Sequence, residues 1–269
     1  MRGFSLLASA LPLAGVATAY PRVDGPGAQF VSRAAGKTVI PKDSFGAFDT
    51  YWSHNYPWGT DHNGGARMNP SKVSTANDVL TLTASPASGE PPATNGGTQY
   101  PVHYLSGTVF AKQQLTVKPG GGYDLEADFK APVARGTWPA FWLTAVKGWP
   151  PEINVAEWKG SGKISFNTFN TSSQVAAHDV TYPSPDNIAD SKLQVAHHQG
   201  PDPNRLCDGR MGQVLHGRWR DHHSVWQNYV NSAFYLIIDL QMEGSSGSPG
   251  PSAGTTFQIR NVQVTGYNP

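Results

Sequence analysis

In Tyr123-Asp124-Leu125-Glu126-Ala127-Asp128-Phe129-Lys130 every odd residue is apolar and every even one is charged. Side chains of an extended chain alternate between two faces, so this octet can bury a continuous apolar face only as a strand. Weaker versions of the same period run through Val79–Thr83, Thr108–Val117, Lys163–Phe169 and Thr256–Val264. Phe234 to Leu240 is instead an unbroken apolar run, the pattern of a strand covered on both faces. Turn signals separate these segments at Asn63-Gly64-Gly65, Asn95-Gly96-Gly97, Pro119 to Gly122 and Gly244 to Gly254. No helical period persists for three turns, and 29 glycines and 22 prolines against 14% charged residues fit strands and turns. The expectation is an all-β sandwich of two packed antiparallel sheets, forming a single domain over residues 20–269.

Residues 1–19 stand apart. Arg2 gives a positive start, Phe4 to Val16 an apolar run, and Ala17-Thr18-Ala19 a small-residue cleavage pattern. This predicts a secretory signal peptide, too short to span a bilayer, with a mature chain starting near Tyr20 and an extracellular location. The longest later apolar run holds Leu236-Ile237-Ile238 and ends at Asp239. A net charge of +1 gives no electrostatic reason to expect nucleic acid or an anionic membrane as partner. Cys207 is the single cysteine, so no internal disulfide can form. No zinc-like spacing of ligands occurs, and neither a metal nor a cofactor is expected.

The chemistry concentrates in Trp149-Pro150-Pro151-Glu152-Ile153-Asn154-Val155-Ala156-Glu157-Trp158. In a flat strand Glu152 and Asn154 share a face and Glu157 points the other way, with the two glutamate backbones about 16 Å apart. One extra residue in a β-bulge would restore a common face. Two carboxyl groups brought to about 5–5.5 Å form the pair that a retaining glycosidase uses as nucleophile and acid/base. Taken alone, two nearby glutamates are more often just a solvated strand face.

Gly136-Thr137-Trp138-Pro139-Ala140-Phe141-Trp142-Leu143 followed by Glu152-Ile153-Asn154-Val155-Ala156-Glu157 resembles glycoside hydrolase family sixteen, the laminarinase and β-glucanase group, in its secreted fungal form. The likeness covers the chain from Asp43 to Asn268 apart from one region described below. It implies a β-jelly roll of the concanavalin A-like lectin and glucanase architecture, and an endo-acting retaining cleavage of β-glucan or a related cell-wall glycan. By the same resemblance Glu152 matches the nucleophile and Glu157 the general acid/base. Trp138, Trp142, Trp149 and Trp158 become candidate walls of the sugar subsites, since sugar C–H faces pack on aromatic rings. Alternation places Trp138 and Trp142 on one strand face, whereas Trp158 follows the acid/base directly and is the weaker candidate. The family carries aspartate where this chain has Asn154, which keeps hydrogen-bonding capacity but no charge. Loss of that like charge predicts weakened catalysis. The alternative is a glycan-binding protein on the same fold that has given up turnover.

From His197 to Gln227 neither period appears, and five of the nine histidines and the lone cysteine fall there. Family members have a strand reading roughly aromatic-aromatic-Val/Met-Asp-Gly before the late buried strand. Codons for Val214 to Gln227, moved forward by one nucleotide, permit Tyr-Tyr-Met-Asp-Gly-Gly-Glu-Thr-Ile-Thr-Gln-Tyr-Gly. We therefore read much of His197 to Gln227 as out of frame, with a sandwich strand missing. Asn170-Thr171-Ser172 is the only glycosylation sequon. Asp239 and Glu243 are the acids considered for a calcium site, which their spacing does not support.

Overall fold

The computed structural model describes residues 36–116, 118, 122–173, 175–181, 192–197, 208–215, 218–225, 229 and 231–267. The expected signal peptide and Cys207 lie outside them. Two eight-stranded sheets make up the sandwich. In the first, β16 (Lys192–His197), β11 (Gly122–Lys130), β20 (Thr255–Tyr267), β5 (Val79–Pro86), β8 (Tyr104–Ser106) and β3 (Ala66–Met68) lie side by side. There β1 (Lys37–Ile40) adds to β20 and β4 (Val73–Ala76) to β5. In the second, the order is β15 (Val175–Thr181), β14 (Lys163–Phe169), β13 (Glu152–Glu157), β12 (Thr137–Ala145), β19 (Ala233–Met242), β9 (Thr108–Ala111) and β2 (Trp52–His54), with β10 (Leu115–Thr116) on β19. The pairings are antiparallel apart from β3 with β8. The architecture is the expected jelly-roll sandwich, and the described α-helix is a single turn, Phe48–Tyr51.

The core lies between the sheets. On β5, Leu80, Leu82 and Ala84 are buried and alternate with less covered residues. On the facing sheet Phe141, Leu236, Ile238 and Leu240 close the other side. Phe129 stacks on Phe257 at 6.1 Å and lies tilted against Phe141 at 5.7 Å. The continuous apolar run of β19 is buried along nearly its whole length, as a central strand flanked by β12 and β9 must be. The charged face of β11 is covered as well: Asp124 accepts from the Tyr267 hydroxyl, and Asp128 pairs with Arg260 and Asn261.

Two expectations change. Thr108–Val117 is not one strand, because the polar and exposed Lys112-Gln113-Gln114 breaks it into β9 and β10. The region without a period is not structureless either. Asp208–Leu215 (β17) and Arg218–Val225 (β18) pair with each other as a separate two-stranded ladder. Another small ladder joins β6 (Ala93–Asn95) to β7 (Thr98–Tyr100) across Gly96-Gly97. Both of these glycines have positive φ, which a tight two-residue hairpin loop requires.

Candidate active site

The site forms on the face of β12, β13 and β19 turned away from the core. Across β12 and β13, Phe141 pairs with Ala156 but Trp142 pairs with Asn154, so Val155 is an extra residue on β13. The same slip appears against β14, where Asn154 faces Asn167 and Glu157 faces Ser165. This bulge changes the parity of the strand. Val155 and Ala156 both enter the core, and Glu157 returns to the face that Glu152 and Asn154 occupy. All three line one cavity together with Trp138, Ala140 and Trp142.

Glu157 is buried and surrounded by donors. Trp138 Nε1 donates to its Oε1 at 2.6 Å. Its Oε2 accepts from Asn154 Nδ2 at 3.1 Å and Asn167 Nδ2 at 2.9 Å, and Lys159 Nζ lies at 3.0 Å. Lys159 also sits 5.8 Å from the centre of the Trp138 ring. Burial, then the charge of Glu157, push the Glu152 carboxyl up to about 7, while a hydrogen bond from Asn154 pulls the other way. Asn154 thus contacts both acids through an amide where the family has a third carboxylate.

The four tryptophans separate. Trp138 and Trp142 line the cavity. Trp149 is 52% exposed and tilts against Phe169 at 5.9 Å, outside the cavity wall. Trp158 is a correction: it is fully buried, packed on Phe129 at 5.3 Å and Phe257 at 5.8 Å. The physical reason is parity, because the residue after Glu157 must face the core once Glu157 faces the cleft. Asn170 is a second correction. It is only 8% exposed, and an oligosaccharide needs an accessible amide.

Several cavity residues were not legible as such. Asp239 accepts from Trp142 Nε1 at 3.0 Å and from the Tyr56 hydroxyl at 2.6 Å, and burial pushes it up to about 7. Ala140 pairs with Asp239 on one side and Glu157 on the other, so the three form a row across three strands. An acid interrupting the apolar run of β19 was the available signal. Gln241 also lines the cavity and accepts from the backbone N–H of Ala66. At Gly64 a Cβ would stand 2.6 Å from the Gln241 side chain, so the Asn63-Gly64-Gly65 turn holds glycine for close approach to the cleft. Glu243, the other acid considered for calcium, is engaged by His103 at 2.7 Å and by Ser248 and the Gly250 amide. Among the described residues no cluster of three or more His, Cys, Asp or Glu could hold a metal ion.

Paired acids on a bulged strand, on the open face of a jelly roll, define the class as a glycoside hydrolase. No protein-family profile matches the chain. A galactan endo-β-1,3-galactanase of Flammulina velutipes is 44% identical over 232 residues, spanning 85% of this chain and 90% of that protein. The endo-1,3-1,4-β-glycanase ExsH of Rhizobium meliloti is 40% identical over 214 residues, which is 74% of this chain and 40% of that protein. Among solved structures, an endo-1,3-β-glucanase from Streptomyces sioyaensis superposes with a TM-score of 0.65 at 18% identity, covering 90% of this chain and all of that one. The family GH16 glucanase SCLam gives 0.63 at 17% identity, covering 87% and 93%. The chain belongs to glycoside hydrolase family sixteen, and it is an endo-acting hydrolase.

Proposed function

We propose that the protein is a secreted endo-β-1,3-galactanase that works by retaining double displacement. The 44% identity to the Flammulina velutipes galactanase along 85% of the chain carries the choice of galactan over glucan. Glu152 attacks the anomeric carbon as the glycosidic C–O bond breaks, and Glu157 gives its proton to the leaving oxygen. Water then attacks the glycosyl-enzyme ester, passing a proton to Glu157 and freeing Glu152. The cavity shared by both acids supports these roles.

Glu152 must be ionised to attack. Its carboxyl is lifted to about 7. We therefore expect kcat/KM, which reports the free enzyme, to fall as pH drops below about 7. The test is hydrolysis of β-1,3-galactan and of laminarin by purified protein, with product anomers followed by NMR. Initial β-product from galactan, abolished by Glu152→Gln, is the expected result. A preference for laminarin would move the substrate to β-1,3-glucan.

A second reading, binding without turnover, rests on Asn154. Glu157 has four donors, and the residue between it and Glu152 on the cleft face is a neutral amide where the family has a carboxylate. Tight oligosaccharide binding with no hydrolysis at any pH would establish that reading.

A further inference from the structure

Beyond the row of acids, the loop after β2 raises a second aromatic wall. Trp58 stacks on Tyr56 at 5.0 Å with the rings 4° from parallel, yet remains 47% exposed. Its indole N–H is tied to the Asp61 carbonyl at 3.2 Å, which fixes the ring plane. Tyr56 is held in turn by Asp239. His62 stacks on Trp142 at 5.7 Å and lines the same cavity as the glutamates.

The protonation of His62 follows from its neighbours. Burial pushes its imidazole down to about 4, so it is neutral at working pH. Asn95, presented by the β6–β7 hairpin, places its amide nitrogen 3.3 Å from His62 Nδ1. An amide nitrogen only donates, so Nδ1 accepts and the ring proton sits on Nε2. Among the described residues no partner is placed on that Nε2–H.

We propose that Trp58 and His62 form a sugar subsite, Trp58 as a flat platform for the C–H face of a pyranose and His62 Nε2–H as the donor to one of its hydroxyls. This rests on the galactanase reading and deepens it. One face of galactose carries C3–H, C4–H and C5–H without a hydroxyl, which suits a planar indole. Trp58 stands on Tyr56 over Asp239 of β19, two strand spacings or about 10 Å from β13, so a sugar on this platform lies away from the bond being cut, and His62 reaches it from its place above Trp142 on β12. The subsite is a specificity and affinity element with no part in proton transfer.

The test uses the Glu152→Gln protein, which holds substrate without cutting it, titrated calorimetrically with a β-1,3-linked galactopentaose and, separately, laminaripentaose. Adding Trp58→Ala is expected to weaken galactopentaose about five- to tenfold, the range of one aromatic contact. Adding His62→Phe keeps the stack on Trp142 and removes both ring nitrogens, the Nε2–H donor and the Nδ1 that accepts from Asn95, costing about two- to tenfold. With Glu152 restored, both variants should raise KM on galactan and leave kcat within twofold, a split that general unfolding would not give. Galactopentaose binding within twofold of the parent in both variants overturns the subsite. If only laminaripentaose binds and Trp58→Ala weakens it, the subsite stands and the galactan reading falls. If neither sugar binds the Glu152→Gln protein, the subsite falls with it.

Discussion

Asn154 and Asp239 sit on the same cleft face, one an amide where the family has an acid, the other an acid that ends the apolar run of β19. Restoring the family residue by Asn154→Asp removes the N–H that now reaches Glu157 at 3.1 Å and puts a carboxylate there instead. Like charges favour retention of one proton by the group. We expect kcat/KM to rise about tenfold or more, bounded above by the about 10²–10⁴ that general acid catalysis supplies. An unchanged rate in Asn154→Asp, with Glu152→Gln inactive, would show that the amide serves as well as the acid. Asp239 leaves a different signature. Its carboxyl stands at about 7 when folded against 3.8 for the free group, because burial opposes its charge. A folded value raised in this way favours the fold below about pH 3.8 and withdraws that support as pH rises through about 7. The melting temperature of the wild type should therefore decline, relative to Asp239→Asn, between pH 4 and pH 8. A constant difference across that range would contradict it.

At the level of strands, one residue sets the site. Deleting Val155 would restore simple alternation to β13 and leave Glu152 and Glu157 an even four residues apart, so both acids would still face the cleft and Trp158 the core. What the deletion removes is the bend that the bulge gives the strand and with it the closing of the distance between the two acids, so hydrolysis should fall while the sandwich still folds. Circular dichroism against a melting curve, with galactan assays alongside, would separate lost activity from lost fold. The need for this bulge was legible in the sequence, because five-residue spacing cannot place two acids on one flat face. So was the fate of Trp138 and Trp142, which share parity. Tyr56, Trp58 and His62 were not legible, since they belong to a loop without period and meet the cleft only through long-range packing. Asp239 was visible only as the end of an apolar run. The break at Lys112-Gln113-Gln114 was hidden because its flanks alternate correctly on either side.

For the molecule as a whole, the segment between β16 and β19 contributes a ladder that pairs only with itself, β17 with β18. Replacing Val214 to Gln227 by the Tyr-Tyr-Met-Asp-Gly-Gly-Glu-Thr-Ile-Thr-Gln-Tyr-Gly strand should raise the melting temperature by several degrees and increase soluble yield. A lower melting temperature for the restored sequence would favour the present frame. Elsewhere the two sheets meet in one core, and that core reaches the catalytic strand directly. Glu157 and Trp158 are consecutive, one donor-lined in the cleft and the other locked between Phe129 and Phe257. The peptide unit between them is a lever with its fulcrum in the sheet: whatever shifts the indole swings the acid. Substitutions at Phe257, on the far sheet and out of reach of any sugar, will therefore read out as changes in catalysis, and in selection for activity the interior of this protein will behave as part of its active site.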